Sequence, residues 1–304
     1  MALLTRQRVM GAKIETTVGT YAAPAAAQCV FNVFDANMAI DFDYVDRPGQ
    51  SALSPLPGTT GPRASEFTFS TNVQNSGSST NPQWASALLL ACGFKASGDT
   101  YSPDTGNAAP TTVSLAHHED GRIRKMAGCV GDVSMTFTAG RPVMANWTFR
   151  GKYVAPASGA LLTPTYPTAV PPRFASATVT TGGTARIVNE ITLNLNNEIK
   201  LREDATDDTG YISAVIVNRR ITWSIDVEAA LAKDFYADLT GNTEAAIVVA
   251  IGTGSDGIVT FNSPKAQITN VQPGDREGIV TDNLEFVANR SAAAGDDELT
   301  VVFS

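Results

Sequence analysis

Apolar and polar side chains alternate along Phe67-Thr68-Phe69-Ser70-Thr71-Asn72-Val73, and again along Ile221-Thr222-Trp223-Ser224-Ile225-Asp226-Val227. Successive side chains of a strand point to opposite faces, so each stretch predicts a half-buried strand with one apolar and one polar face. Thr68 and Ser70 recur unchanged as Thr222 and Ser224, while Phe67, Phe69 and Val73 match Ile221, Trp223 and Val227. The surroundings repeat in the same order. Met38, Ile40 and Phe42 alternate ahead of the first stretch, as Ile191, Leu193 and Leu195 do ahead of the second. Val133, Met135 and Phe137, followed by Val143, Ala145, Trp147 and Phe149, predict a closing hairpin turned by Ala139–Pro142. Residues 266–271 and 279–288 predict its counterpart, with Leu284 and Phe286 at the places of Trp147 and Phe149.

Between these strands the pattern changes period. Asn81 and Pro82 suit a helix cap and first position, Trp84, Leu88 and Cys92 then share one helical face, and Gly93 supplies a stop. Leu231, Phe235 and Leu239 repeat that spacing ahead of Gly241. Residues 46–65 hold Pro48, Pro55, Pro57 and Pro62 with three glycines and predict a long extended loop, a kind that usually contacts a partner. Residues 96–112 and 202–210 read as polar loops, with a strand-like return over 211–217, and 248–255 as a short strand and turn. The five prolines between 155 and 172 mark a linker. The expected organisation is therefore mainly β: an N-terminal arm over 1–29, a first unit over 30–154, a linker over 155–184 and a second unit over 185–304. Each unit carries one short helix, the second repeats the first, and a last strand lies in 298–303.

Composition narrows the function. Charged residues make up only 17% of the 304, and the net charge is −8, so a phosphate-binding basic face is not expected. Cys29, Cys92 and Cys129 are odd in number and widely spaced, which fits buried thiols rather than a disulfide framework or metal site. The first 17 residues have no apolar core of a secretory signal, and no run of about 18 apolar residues is present, so a chain made and retained in a cytoplasm without membrane insertion is expected. His117-His118 reads as a solvated turn, since neighbouring strand residues point opposite ways. Glu203, Asp204, Asp207 and Asp208 lack the alternation of a calcium loop, and Gly252–Gly257 lacks the lysine and helix of a phosphate loop. With no nucleophile elbow or Cys/His pair, no catalytic residue, cofactor or metal is assigned.

Four segments carry a resemblance: Pro82–Phe94, the hairpin Ala139–Pro142 through Trp147–Pro156, the opening Glu15–Thr20, and Arg202–Ala205 ahead of Arg219–Thr222. Together they resemble the tail tube proteins of long-tailed, non-contractile bacteriophages, in order over nearly the whole chain. The resemblance implies a β-sandwich or small barrel with one flanking helix and long loops reaching neighbouring subunits. It implies six such units per ring, rings stacked into a hollow tube, assembly around a tape-measure protein between tail terminator and distal tail proteins, and transient, non-specific passage of double-stranded DNA. The location implied is the virion tail after synthesis in the host bacterial cytoplasm. Two units in one chain would make the ring a trimer with pseudo-sixfold symmetry. The lumen candidates are the polar sides of the repeated strands: Asp41, Asp43, Glu66, Thr68, Ser70, Asn194, Asn196, Thr222, Ser224 and Asp226. The candidates for contacts between subunits are Arg47, Pro48, Gly49, Leu56 and Pro57 in the first unit, and Arg202, Glu203, Asp204, Asp207 and Asp208 in the second. The alternative is a carbohydrate- or receptor-binding β-sandwich of a virion or cell surface, which would need an exposed aromatic patch. A hydrolase with dispersed active-site residues would instead show turnover.

Overall fold

The computed structural model describes residues 7–76, 81–105, 111–168, 170–253 and 257–304. Strand accounts for 57% of the chain and helix for 6%, so the fold is mainly β. In chain order the strands of the first half are β1 (Arg8–Ile14), β2 (Val33–Arg47), β3 (Leu56–Asn72), β4 (Phe94–Ser97), β5 (Thr100–Pro103), β6 (Val113–Glu119), β7 (Arg122–Thr138) and β8 (Met144–Ser158). Those of the second half are β9 (Thr178–Thr181), β10 (Thr184–Ala185), β11 (Val188–Asn194), β12 (Glu198–Glu203), β13 (Tyr211–Asn218), β14 (Thr222–Glu228), β15 (Glu244–Ile251), β16 (Val259–Arg276), β17 (Ile279–Ala288) and β18 (Thr300–Phe303). A π-helix occupies Trp84–Leu89 and the α-helix α1 Phe235–Thr240.

One antiparallel path runs β2-β3-β8-β7-β11-β14-β17-β16-β15-β9-β10. Its first four strands and its next four follow the same order of roles: opening strand, repeated strand, then second and first strands of the closing hairpin. The long first strand of each hairpin forks. The early part of β7 pairs with β6, and β6 with β1; the early part of β16 pairs with β15, and β15 with β9. Past its fork β7 pairs with β11, through Met135 opposite Leu193 and Phe137 opposite Ile191. Within a single chain the path does not close into a barrel.

Register refines the repeat. Phe69 faces Trp147 and Phe67 faces Phe149, whereas Trp223 faces Phe286 and Ile225 faces Leu284. Matching Phe67 to Ile221 and also Trp147 to Leu284 is thus inconsistent by two residues. Two residues is one full pleat, so every side chain keeps its face despite the slip.

The apolar faces meet in one buried cluster that spans both halves. Phe69 stacks on Phe149 at 5.9 Å, Phe137 meets Phe261 edge-on at 5.4 Å, and Trp84 of the π-helix meets Phe303 of β18 at 5.5 Å. Each such ring contributes roughly 1.5–3 kcal/mol by burial alone. All three tryptophans are buried with the indole N–H satisfied: Trp84 donates to the Gln74 carbonyl, Trp147 to Thr71 Oγ1 and Trp223 to Ser263 Oγ, at 2.8–2.9 Å. The three cysteines are buried and unpaired with one another.

Several expectations need correction. The opening strand expected in the arm is β1, and its Val9, Met10 and Ala12 are buried against β6 rather than lying outside the core. The long loop over 46–65 is mostly strand: β2 and β3 continue as a hairpin with three register shifts. Pro57 and Pro62 fit because β8 joins β3 only from Ala64 onward, so up to there β3 pairs with β2 alone. Residues 96–112 include the β4–β5 hairpin, and β8 extends to Ser158 into the expected linker. Asn81 does not cap its helix; its amide donates to the Gly98 carbonyl. Leu231 is fully exposed, because the second helix starts only at Phe235, where the Asp234 carboxylate accepts from the Tyr236 and Ala237 amides. Of the glycine-rich turn, residues 254–256 lie outside the described residues.

Candidate functional surface

The opposite face of the eight central strands is mostly polar, broken by Met144 and Val287. In β3 the core residues Phe67, Phe69 and Thr71 leave Glu66, Thr68, Ser70 and Asn72 on the other side. The same alternation places Ser134 and Thr136 of β7, Asn146 and Thr148 of β8, Thr192 and Asn194 of β11, and Thr222 and Ser224 of β14 on that side. Register aligns them in rows across the sheet. One row reads Ser70, Asn146, Ser134, Asn194, Thr222, Val287. The next reads Asn72, Met144, Thr136, Thr192, Ser224, Glu285, Asn270. Hydroxyls and amides bond laterally: Ser70 Oγ donates to Asn146 Oδ1 at 2.7 Å, and Asn196 Nδ2 to Thr222 Oγ1 at 2.9 Å.

Charge on this face is sparse and acidic. Among the described residues Glu66, Asp132, Glu190, Asp226, Glu228 and Glu285 share it with the cations Arg150, Lys152 and Arg276, and Lys152 is taken up by Asp207. Arg150 pairs with Glu66 at 3.4 Å, and Arg276 with Asp226 at 2.8 Å and Glu228 at 3.3 Å. Asp132 accepts from the Asn197 amide, and burial raises its pKa above the usual aspartate range. Both guanidinium groups are therefore committed to carboxylates on the same surface. Such a face binds water and repels anions.

Eight of the ten residues selected as lumen candidates, Glu66, Thr68, Ser70, Asn194, Asn196, Thr222, Ser224 and Asp226, share this face. Asp41 joins it at the β2 end, two residues from Ala39, which pairs with Glu66. Asp43 falls in the register shift between Phe42 and Tyr44, out on the hairpin arm. Sequence reasoning passed over Ser134, Thr136, Asn146, Thr148, Thr192 and Glu285, although the alternation in residues 133–149 and 279–288 already carried them.

The loop candidates separate. Arg47, Pro48, Gly49, Leu56 and Pro57 sit at the exposed tip of the β2–β3 arm, which also exposes Phe42, Tyr44, Val45 and Leu53. Arg202, Glu203, Asp204, Asp207 and Asp208 belong to the β12–β13 hairpin, which folds back on the first half. Lys152 Nζ lies 2.6 Å from Asp207, and Arg63 bonds the Asp208 carbonyl and carboxylate. Burial works to raise the Asp207 pKa, but the bonds from Lys152 and Thr209 outweigh it and hold it down at about 2. Asp204 accepts from Thr206 of its own turn.

The histidines are not a solvated turn. His117 and His118 lie in β6, which is covered on both faces between β1 and β7. His117 is 2% exposed, neither ring nitrogen has a hydrogen-bond partner, and burial lowers its pKa to about 4. Among the described residues no group of three or more His, Cys, Asp or Glu is placed to hold a metal, and no helix is long and apolar enough to cross a membrane.

The family model described as phage tail tube protein matches residues 5–288, nearly the whole chain. No curated protein matches it.

Proposed function

Because the chain belongs to the phage tail tube protein family and is thus a structural component of the virion tail, we propose that three copies close into a ring and that rings stack into a conduit for DNA. The observation that carries this reading is the β7–β11 junction. There the hairpin strand of one four-strand set pairs with the opening strand of the next, inside one chain. The same two kinds of edge are left open at the ends of the eight strands. Among the described residues β2 pairs only with β3, and β16 beyond Gln267 has no strand on its β15 side. Unpaired edges are templates for further strands. Pairing β16 of one copy with β2 of the next reuses the internal junction, and three repeats close twenty-four strands with no edge left.

Strands about 4.8 Å apart and tilted 35–45° would give a twenty-four-stranded barrel a backbone diameter of about 45–50 Å. The apolar face is already covered, so the polar face is the one left to line the interior. Its unpaired carboxylates repel phosphates within a Debye length of about 8–10 Å, and its hydroxyls and amides offer no cationic grip. A duplex would slide rather than adhere. The family also supports self-association along the tail, and the tape-measure, terminator and distal partners are part of this proposal.

End-on micrographs of the purified protein, combined with mass measurement, test it. Three chains per ring with six similar lobes are expected. Six chains per ring, or a monomer at every concentration, would overturn it.

A further inference from the structure

We infer that the β16–β17 turn of one copy docks beside the start of β2 of the next, with Glu277 paired to Arg8. This inference rests on the ring reading above and names one contact within it. The internal junction supplies the precedent. There the β7–β8 turn reaches the start of β11 and beyond: the Ala139 amide donates to the Asn189 carbonyl, the Gly140 amide to the Phe174 carbonyl and the Phe174 amide to the Arg141 carbonyl. Since β16 would run antiparallel to β2, as β7 does to β11, its turn would arrive at residues 31–33 of the neighbour.

The turn is shaped for presentation. Glu277 and Gly278 both have positive φ, 53° and 88°, the pair of values a two-residue type I′ hairpin needs. Asp275 is used internally, accepting from the Gly278 amide, and among the described residues Glu277 at the tip has no ion pair. Beside it Ile279 and Val280 are 48% and 64% exposed, apolar surface that a free hairpin end does not need.

The receiving side is a cavity of about 360 Å³ lined by Arg8, Phe31, Asn32, Asp35, His117 and Tyr166, among others. Arg8 is exposed and makes no ion pair among the described residues; its guanidinium rests 3.3 Å from the Ala36 carbonyl of β2. A strand arriving along β2 would compete for that edge and release Arg8 to the incoming carboxylate. His117, 98% buried, with its Nδ1 3.7 Å from Glu119 and neither ring nitrogen hydrogen-bonded, borders the same cavity. Asp35 lines it too, at φ 51°, so the site suits one carboxylate placed on Arg8 rather than anions in general.

Four chains test the contact: the natural one, Arg8→Glu, Glu277→Arg, and the double exchange. Ring formation is read by sedimentation and end-on micrographs, and folding by the thermal midpoint of the dilute chain. Each single exchange should raise the concentration needed for rings at least tenfold with an unchanged midpoint, and the double exchange should restore most of it. An Arg8→Cys/Glu277→Cys chain should form interchain disulfides on oxidation of assembled material only. Rings of the natural chain that are indifferent to both single exchanges and yield no disulfide would overturn this contact while leaving the ring standing. Absence of rings from the natural chain would remove the ring reading itself.

Discussion

The connection between the opening strand and the repeated strand has opposite fates in the two halves. In the second half it folds into the β12–β13 hairpin and lies on β7 and β8, tied by Lys152–Asp207 and Arg63–Asp208. In the first half it is the β2–β3 arm, continuous with the sheet, turned outward and carrying exposed Phe42, Tyr44, Val45, Leu53 and Leu56. The anchored connection rests on the four-strand set that precedes its own. In the ring proposed above, the set preceding the arm would belong to another copy. One connection therefore stabilises the chain, and the other is free to stabilise an assembly. In the proposed ring, that much large apolar side-chain surface on one hairpin would serve as a contact.

The largest effect that would break this contrast is on assembly. Replacing Tyr44, Val45 and Leu56 together by Ser should abolish rings or tubes in micrographs while shifting the thermal midpoint of the dilute chain little. A large loss of folding stability would instead make the arm part of the chain's own core. Next comes the anchor. Asp207→Asn removes the carboxylate facing Lys152 and should cost about 1.5–3 kcal/mol in urea unfolding, the range for hydrogen bonds to charged groups; no change would mean the hairpin is held by its apolar contacts alone.

The same anchor sets a smaller, pH-dependent effect. The Asp207 pKa is held down at about 2 in the folded chain against an ordinary 3.8. Its contribution is therefore complete above pH 3.8 and is lost as pH falls toward 2, because the unfolded chain binds the proton first. Unfolding measured across that window should show a shallower acid decline in Asp207→Asn than in the natural chain. The smallest effect is expected at Pro57, where the strand pairs on one side only: Pro57→Ala should move the unfolding free energy by less than about 0.5 kcal/mol.

Comparison of the halves also shows what alternation conveys. The first core stacks Phe67, Phe69, Trp147 and Phe149, while the second packs Trp223, Ile225, Leu284 and Phe286. Different side chains give the same strand order, because the inward period of two, rather than residue identity, selects the buried face. The polar face was legible for the same reason, and nine of its ten selected residues share it, Asp43 being the exception. The misread segments had their patterns overridden by tertiary context. β6 is paired on both edges, with β1 and β7, and buried on both faces, so His117 and His118 are buried where their polarity suggested solvent. Leu231 fits a helical spacing, yet the Asp234 cap starts that helix after it.

By itself the sequence determined the mainly β class, the eight central strands, their inward faces and the sparse charge of their outward ones, since each depends only on period and composition. Only the tertiary structure decided that β7 joins β11, that the acidic loop closes on Lys152 and Arg63, and that, among the described residues, one edge of β2 and one edge of β16 beyond Gln267 are left open. Strand partners and ion pairs join residues tens of positions apart, and no local pattern records which edges meet.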